Sequence, residues 1–295
     1  MKDYPILRQL NGPSDLQALP EEKLSALAEE VRAYMVDCVS KNGGHLAASL
    51  GAVDLIIALH RVYTDEKDRL IFDVGHQAYA HKILTGRRDA FAALRQEGGI
   101  SGFPKREESP YDAFNTGHAS TSISAALGMV RAKHLLHESG HVAAVIGDGA
   151  LTGGLAYEAL DDGGDSKLPL VVVLNDNEMS ISRNVGAMSR SLSRLRASSS
   201  YNRLKRFVVR ALETGTVGRR MSKNIEGFKN RIKRFVLQNT FFEEMGFTYL
   251  GPIDGHDIPQ MIALLREAKA LERPVVVHVV TQKGKGYSPS ERNPE

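Results

Sequence analysis

Two short segments of this chain carry residue types suited to holding a charged ligand. The first is Gly147-Asp148-Gly149-Ala150-Leu151-Thr152-Gly153-Gly154, directly behind the apolar run 142–146. The second is Asn175-Asp176-Asn177-Glu178, directly behind the apolar run 169–174. Asp148 offers a carboxylate and Asn177 an amide oxygen. Magnesium favours a few such hard ligands, with positions left for water and phosphate, over an all-protein cage. Glycines beside Asp148 let the backbone approach phosphate oxygens closely, and a helix starting there would aim its N-terminal amides the same way. The spacing fits neither G-x-G-x-x-G nor G-x-x-x-x-G-K-[ST], so neither of those phosphate motifs applies. Glycine-rich strand-to-helix turns also occur without a ligand. The second oxygen at Asn177 is what turns the reading toward a magnesium-diphosphate site.

Both segments must be presented by the ends of strands. Runs 142–146, 169–174 and 274–280 are nearly continuous in Val, Ile and Leu, the pattern of parallel strands buried on both faces. A shorter run, 70–74, leads into Gly75 and a helix through His81. Helices are expected where Leu24, Leu27, Ala28, Val31, Met35 and Cys38 recur at three- and four-residue steps, ending at Gly43-Gly44, and over 51–63 and 120–136. A last helix starts at Asp257 as N-cap and runs through Leu271. This alternation predicts an α/β fold, an open and mainly parallel sheet with helices on both faces. Such sheets bind ligands outside the carboxyl ends of their strands, where Asp148 and Asn177 would emerge from neighbouring strands.

Composition bounds the rest. The chain has 295 residues, of which 42% are hydrophobic and 25% charged, the balance of a folded domain rather than a disordered segment. The apolar runs fall short of the roughly 20 residues of a membrane helix, and Met1 to Pro5 shows no signal core, so the cytosol is the expected compartment. A single cysteine, Cys38, leaves no internal disulfide or Cys-based zinc site and reads as a small core residue. The net charge of +3 divides unevenly: residues 187–238 hold 14 Lys/Arg and two acids, Glu213 and Glu226, against 24 basic and 33 acidic residues elsewhere. The Ser/Arg-rich start of this stretch, 189–200, reads as flexible, whereas Leu204, Phe207, Val208, Ala211 and Leu212 have helical spacing. Its charge is of the kind that meets nucleic acid or an anionic membrane. His134, His137 and His141 have near-helical spacing but no accompanying Cys or acidic ligands, so a solvated helix end closed by Gly140 is expected. Asp161-Asp162 reads as a solvated helix turn rather than a second metal site.

Taken together, several segments resemble the 1-deoxy-D-xylulose-5-phosphate synthase family, whose enzymes depend on thiamine diphosphate. They are Gly43-Gly44-His45-Leu46, Asp73-Val74-Gly75-His76-Gln77-Ala78-Tyr79, His81-Lys82-Ile83-Leu84-Thr85-Gly86-Arg87-Arg88, Thr116-Gly117-His118-Ala119-Ser120-Thr121-Ser122 and Asn175-Asp176-Asn177-Glu178-Met179. Near the end come Gly251-Pro252-Ile253-Asp254-Gly255-His256-Asp257 and Lys283-Gly284-Lys285-Gly286-Tyr287. Transketolases share the diphosphate motif but not the Gly-His-Gln-Ala-Tyr text. The resemblance implies that Asp148, the Asn177 side chain and the Met179 carbonyl hold magnesium, and that Gly149 and Ala150 lie on the diphosphate. It also implies that His76, Gly117, His118, Ala119 and Tyr287 line the cofactor pocket, and that His45 acts near the reacting carbon. Without the family context, any one of these histidines would more often be structural.

The implied reaction condenses pyruvate with glyceraldehyde 3-phosphate and releases carbon dioxide, giving a product for isoprene and thiamine biosynthesis. In the resemblance the whole chain, 1–295, is the thiamine diphosphate (diphosphate-binding) domain. Residues 187–240 form a basic, mobile insertion, a lid or phosphate-attracting segment rather than a partner for nucleic acid or membrane. The family's enzymes are about twice this long, and their second half supplies the glutamate that engages the aminopyrimidine ring. A second chain carrying the pyrimidine-binding and C-terminal domains is therefore the expected partner, in a homo- or hetero-oligomer, and the chain alone is expected to be inactive. A fragment of a full-length synthase, a split transketolase-like subunit and a non-catalytic thiamine diphosphate-binding protein are the alternatives. Asp161-Asp162 stand where the family usually has amides.

Overall fold

The computed structural model describes residues 4–177, 192 and 241–293. Met179 and, apart from Leu192, the basic stretch 187–240 lie outside the described residues. Five strands form one sheet: β1 (Arg69–Phe72), β2 (Val142–Gly147), β3 (Leu170–Asp176), β4 (Thr248–Asp254) and β5 (Val275–Val280). Their order is β1-β2-β3-β5-β4 and every neighbouring pair is parallel.

Both faces of this sheet are buried, as the unbroken apolar runs require. Ala143 and Val145 of β2, Val171 and Val173 of β3, and Val275, Val277 and Val279 of β5 face one core. The alternate residues Val142, Ala144 and Ile146, then Leu170, Val172 and Leu174, face the other. Successive side chains of a strand point to opposite faces, so a strand covered on both sides must be apolar throughout. Burying each such side chain contributes about 1.5–3 kcal/mol.

The first core is covered by α1 (Pro13–Ala18), α2 (Leu24–Asn42), α4 (Val53–Val62), α5 (Tyr79–Lys82) and α9 (Ile258–Ala270). Between α2 and α4 lies the short α3 (Leu46–Gly51), and Cys38 of α2 is buried, as expected. The second core is covered by α6 (Ser122–Leu136), α7 (Gly154–Ser166) and the Phe242 side of α8 (Phe241–Glu244). A short helix, α10 (Ser288–Arg292), closes the described chain. The Asp257 carboxylate accepts the Gln260 amide at 3.0 Å, so it caps α9 as its sequence position predicts.

Four details differ from the sequence reading. The helix expected over 51–63 is broken at Ala52, with Gly51 closing α3 and Val53 opening α4. The backbone of Gln282 comes so close that a Cβ on Gly51 would lie 2.7 Å from its carbonyl oxygen. Helix α6 ends at Leu136 as its pattern predicts, but the cap is His137, which takes the left-handed conformation with φ 53°, and not Gly140. The helix expected after Gly75 through His81 begins only at Tyr79 and passes into a wider turn at Ile83–Arg87, where Gly86 has φ 85°. Strand β4 escaped the pattern altogether. Its sequence contains Gly251-Pro252, and the register shifts between Leu250 and Ile253. Proline cannot donate to a ladder, so this strand is tolerated only because it forms the edge of the sheet. Asp161 and Asp162 are exposed, and Asp162 pairs with Arg131 at 2.5 and 2.8 Å, in agreement with a solvated helix face.

The α7 glycines allow a close approach that no other residue permits. A Cβ on Gly164 would lie 1.7 Å from the Met245 carbonyl oxygen. Gly164→Ala is therefore expected to lower stability by about 1–3 kcal/mol through overpacking, although helix propensity alone would favour alanine by roughly 1 kcal/mol. Urea unfolding followed by far-UV circular dichroism reads the sign of this change.

Candidate active site

All five strands point the same way, so the residues following each of them meet at one end of the sheet. Those of β2 and β3 are held side by side. Gly147 stands opposite Asn175, and the Asp148 amide donates to the Asn175 carbonyl at 3.3 Å. Asp148, the residue that follows β2, is 4% exposed, and Asn177, the residue that follows β3, lies two beyond Asn175. The third neighbour, β5, braces this corner. Thr281 donates its hydroxyl to the Asn175 side-chain oxygen at 2.6 Å and its amide to the Asp176 carbonyl at 2.9 Å. The buried Asp176 carboxylate meets His278 Nε2 at 3.0 Å, and His278 Nδ1 meets the Tyr249 hydroxyl at 2.6 Å, so β3, β5 and β4 are tied by side chains as well as by backbone.

The loops above this corner are fastened by Asp73, which follows β1 and is 1% exposed. Its two oxygens accept the amides of Ser120 at 2.8 Å and Ser122 at 3.0 Å, the latter the first residue of α6. A carboxylate at a helix N-terminus is favourable both for the orphan amides and for the helix dipole. Ser120 Oγ in turn donates to the Ala150 carbonyl at 2.6 Å, and a Cβ on Gly153 would lie 2.2 Å from that hydroxyl oxygen. Segments 117–122 and 147–153 are thus locked together. Between them, a Cβ on Gly117 or Gly147 would meet nothing within 4 Å. These glycines face open space, a cradle that side chains would otherwise fill. His118 and Ala119 are exposed beside Gly117, and Gly149 and Ala150 are half-buried on the opposite lip.

A second wall is formed by imidazoles. The His45 and His76 rings lie 5.8 Å apart edge to face, with the Phe103 ring 5.8 Å from His45 on another side. The Tyr79 hydroxyl accepts the His45 amide at 3.1 Å, and a Cβ on Gly44 would lie 2.6 Å from that hydroxyl, so only glycine fits before His45. Ser49 Oγ holds the His76 carbonyl at 2.8 Å, while His76 Nδ1 is buried without a hydrogen-bond partner. Burial, with help from His45 and Lys283, pushes the His76 pKa down to about 4. His45 is lowered too, by desolvation and the nearby Arg95 charge, although it remains open to solvent. Both rings are neutral at pH 7.

Tyr287 belongs to a loop pinned from beneath. Gly284 donates its amide to the Ala47 carbonyl at 2.8 Å, and Gln282 donates to His256 Nε2 at 2.8 Å. With Nε2 accepting, His256 Nδ1 carries the proton it shares with Asp54 at 2.7 Å, and Asp54 also pairs with the buried Arg32. Sequence reasoning gave no role to Arg32, Asp54 or Asp73. The signal for Asp54 was present, a lone acid inside the apolar run Val53 to Ile57.

The residues fit a hard cation and a diphosphate: one buried carboxylate and an amide at adjacent strand ends, a glycine cradle and an orphaned imidazole nitrogen. Among the described residues no three His, Cys, Asp or Glu side chains cluster as a metal site, a grouping that a one-carboxylate set does not contain. No helix among them is long and apolar enough to cross a membrane.

A family profile described as 1-deoxy-D-xylulose-5-phosphate synthase matches residues 7–281. The chain belongs to the 1-deoxy-D-xylulose-5-phosphate synthase family. Curated synthases of this name from Carboxydothermus hydrogenoformans and Desulforudis audaxviator are 55% and 56% identical over 99% and 98% of this chain, which covers 47% and 46% of them. The chain thus spans about half the length of these synthases. Among solved structures, the transketolases of Leishmania mexicana and Campylobacter jejuni match with TM-scores of 0.63 and 0.61 at 20% and 23% identity. They cover 89% and 91% of this chain, and 37% and 39% of their own chains are matched. At that identity they establish the synthase-family chain's fold alone.

The depressed His76 pKa carries a stability cost in acid. The unfolded chain binds a proton at about 6.5 and the folded one only at about 4, so stability is present above pH 6.5 and is lost as pH falls toward 4. Buried His60 and His81 are shifted in the same direction. His76→Asn is expected to reduce the loss of unfolding free energy between pH 7 and pH 5 by up to about 2 kcal/mol, measured by urea titration at the two pH values.

Proposed function

We propose that this chain is the diphosphate- and magnesium-binding part of a 1-deoxy-D-xylulose-5-phosphate synthase, an enzyme that condenses pyruvate with glyceraldehyde 3-phosphate and releases carbon dioxide. The observation that carries this reading is the pairing of Asp148 with the Asn177 segment at the ends of β2 and β3, beside a glycine cradle whose Thr116-Gly117 edge lies against Gly75, the residue before His76. Asp148, the Asn177 amide oxygen and the Met179 carbonyl would hold magnesium, and the backbone at Gly149 and Ala150 would receive the diphosphate. Bound thiamine diphosphate supplies the nucleophilic carbon that pyruvate needs in order to lose carbon dioxide.

His76, Gly117, His118, Ala119 and Tyr287 would line the cofactor and keep water from its reactive face. Neutral His76 presents an unpartnered Nδ1 to the pocket without adding a charge there. His45, neutral and at the solvent edge, is placed to take or return a proton at a substrate carbonyl oxygen, and a ring kept below its ordinary pKa is ready as an acceptor at neutral pH. The acid that engages the aminopyrimidine ring belongs, in this proposal, to the stretch of the family that this chain does not cover, whether on the same polypeptide or on a partner.

Calorimetric titration with thiamine diphosphate tests the metal assignment, on the chain alone and mixed with the uncovered half of a family synthase. Binding should require magnesium, and Asp148→Ala should weaken it at least about 100-fold, since even outer-sphere changes at metal sites cost 10–100-fold. A variant that binds normally would remove Asp148 from the site. Carbon dioxide release from pyruvate plus glyceraldehyde 3-phosphate by the mixed preparation, and its loss in His45→Ala, tests the catalytic reading.

A further inference from the structure

Segment 81–88 carries much of the family resemblance, yet none of its residues reaches the cradle. Its polar side chains turn inward instead. His81, Lys82 and Arg87 are 1%, 0% and 7% exposed, which is costly for such groups unless each is paired. Their partners lie on segment 101–116. Arg87 forms a two-pronged contact with Asp112, Nη1 to Oδ2 at 2.6 Å and Nη2 to Oδ1 at 2.8 Å, and Lys82 pairs with Glu108. His81 Nε2 meets Asp112 Oδ1 at 2.9 Å, and His81 Nδ1 meets His60 Nε2 at 2.9 Å.

The tautomers follow from the acceptors. An ionised carboxylate only accepts, so His81 donates from Nε2, its Nδ1 accepts, and His60 donates from Nε2. Burial works against charge on all three groups. It lowers both imidazoles, while the bonds from His81 and Arg87 overcome it at Asp112 and hold that carboxyl well below the usual carboxylate range. A directional chain of two neutral imidazoles therefore runs from α4 through α5 to the ionised Asp112.

The same two acids also hold the backbone around Phe103. Glu108 accepts the Ser101 amide at 2.6 Å and Asp112 accepts the Lys105 amide at 2.8 Å, one residue pair on either side of Phe103-Pro104. Pro104 is then seated where a Cβ on Gly75 would lie 2.5 Å from its Cδ, next to His76. Phe103 stands with its ring 5.8 Å from that of His45. We infer that Asp112, braced by Arg87, His81 and His60, is a positioning residue that sets the Phe103 ring against His45 and so shapes the proton-transfer side of the candidate site. This deepens the proposed function, because the ring being positioned is His45.

The test reads His45 directly and needs neither cofactor nor substrate, so it stands or falls apart from the cofactor assignment. Nuclear magnetic resonance of histidine-labelled chain follows the His45 ring, whose surroundings are His76, Tyr79 Oη, Arg95 and Phe103. In Asp112→Asn, the Lys105 amide should lose at least tenfold of its protection from hydrogen exchange. The His45 ring resonance should shift, and its pKa should rise toward the ordinary value of about 6.5, with far-UV circular dichroism unchanged. Phe103→Ala should move the His45 resonance and pKa the same way while leaving the Lys105 amide protected. If Asp112→Asn does not fold, Arg87→Lys, which keeps the charge but loses the fork, takes its place with the same expected direction. A variant of Asp112 or Arg87 that is less stable while His45 titrates as in the unaltered chain would reduce the cluster to a structural anchor and overturn the inference. So would a Phe103→Ala chain with an unmoved His45.

Discussion

The register between β2 and β3 is the constraint on which the candidate site depends. Parallel pairing that sets Gly147 opposite Asn175 makes the next residues of the two strands, Asp148 and Asp176-Asn177, emerge together. A slip of one residue would turn every side chain of a strand to the opposite face. In one direction it would set polar Asn175 where Leu174 now fills the second core. The boundary between the apolar run and Asn175 therefore helps to fix the register, and the register brings the oxygen ligands together. The hydrophobic cores and the proposed chemistry are coupled through this one alignment.

Around that corner the chain repeats one device, a carboxylate that accepts the backbone amides of a loop, from a distant segment at Asp73 and from within segment 101–112 at Glu108 and Asp112. Asp73 holds the start of α6, while Glu108 and Asp112 hold the segment around Phe103. A carboxylate that accepts two or three such bonds is fully used, and its burial is offset only while the loop stays in place. Asp73 follows directly on β1, whereas Glu108 and Asp112 are themselves anchored by Lys82, His81 and Arg87. Asp54, paired with Arg32, acts through His256, whose Nε2 accepts the Gln282 amide in the loop that carries Tyr287.

The imidazoles gain their character from the same enclosure. His76 is half-buried with its Nδ1 enclosed, and His60 and His81 are wholly enclosed, so all stay neutral at neutral pH. His45 differs in keeping an open edge, which suits a group that must exchange protons with substrate rather than brace a loop. The basic charge concentrated at 187–238 follows the Asn177 segment in sequence, and the acidic balance of −9 belongs to the remainder of the chain.

By itself, the sequence determined the parallel sheet, its three central strands, the helices on both faces and the segments that carry the candidate ligands. These are periodic or local signals: unbroken Val, Ile and Leu runs, three- and four-residue apolar steps, and glycine-rich turns after strands. Edge strand β4 was not legible, because Gly251-Pro252 contradicts strand propensity and only the sheet edge tolerates it. Nor were the roles of Asp73, Asp54, Arg32, Asp112 and His81. A buried charge is defined by its partners, and here decisive partners lie far along the chain, 31 residues for His81 with Asp112 and 202 for Asp54 with His256. Only the tertiary structure brings such groups within hydrogen-bond range, and the energetic cost of leaving any one of them unpaired is what makes that arrangement specific.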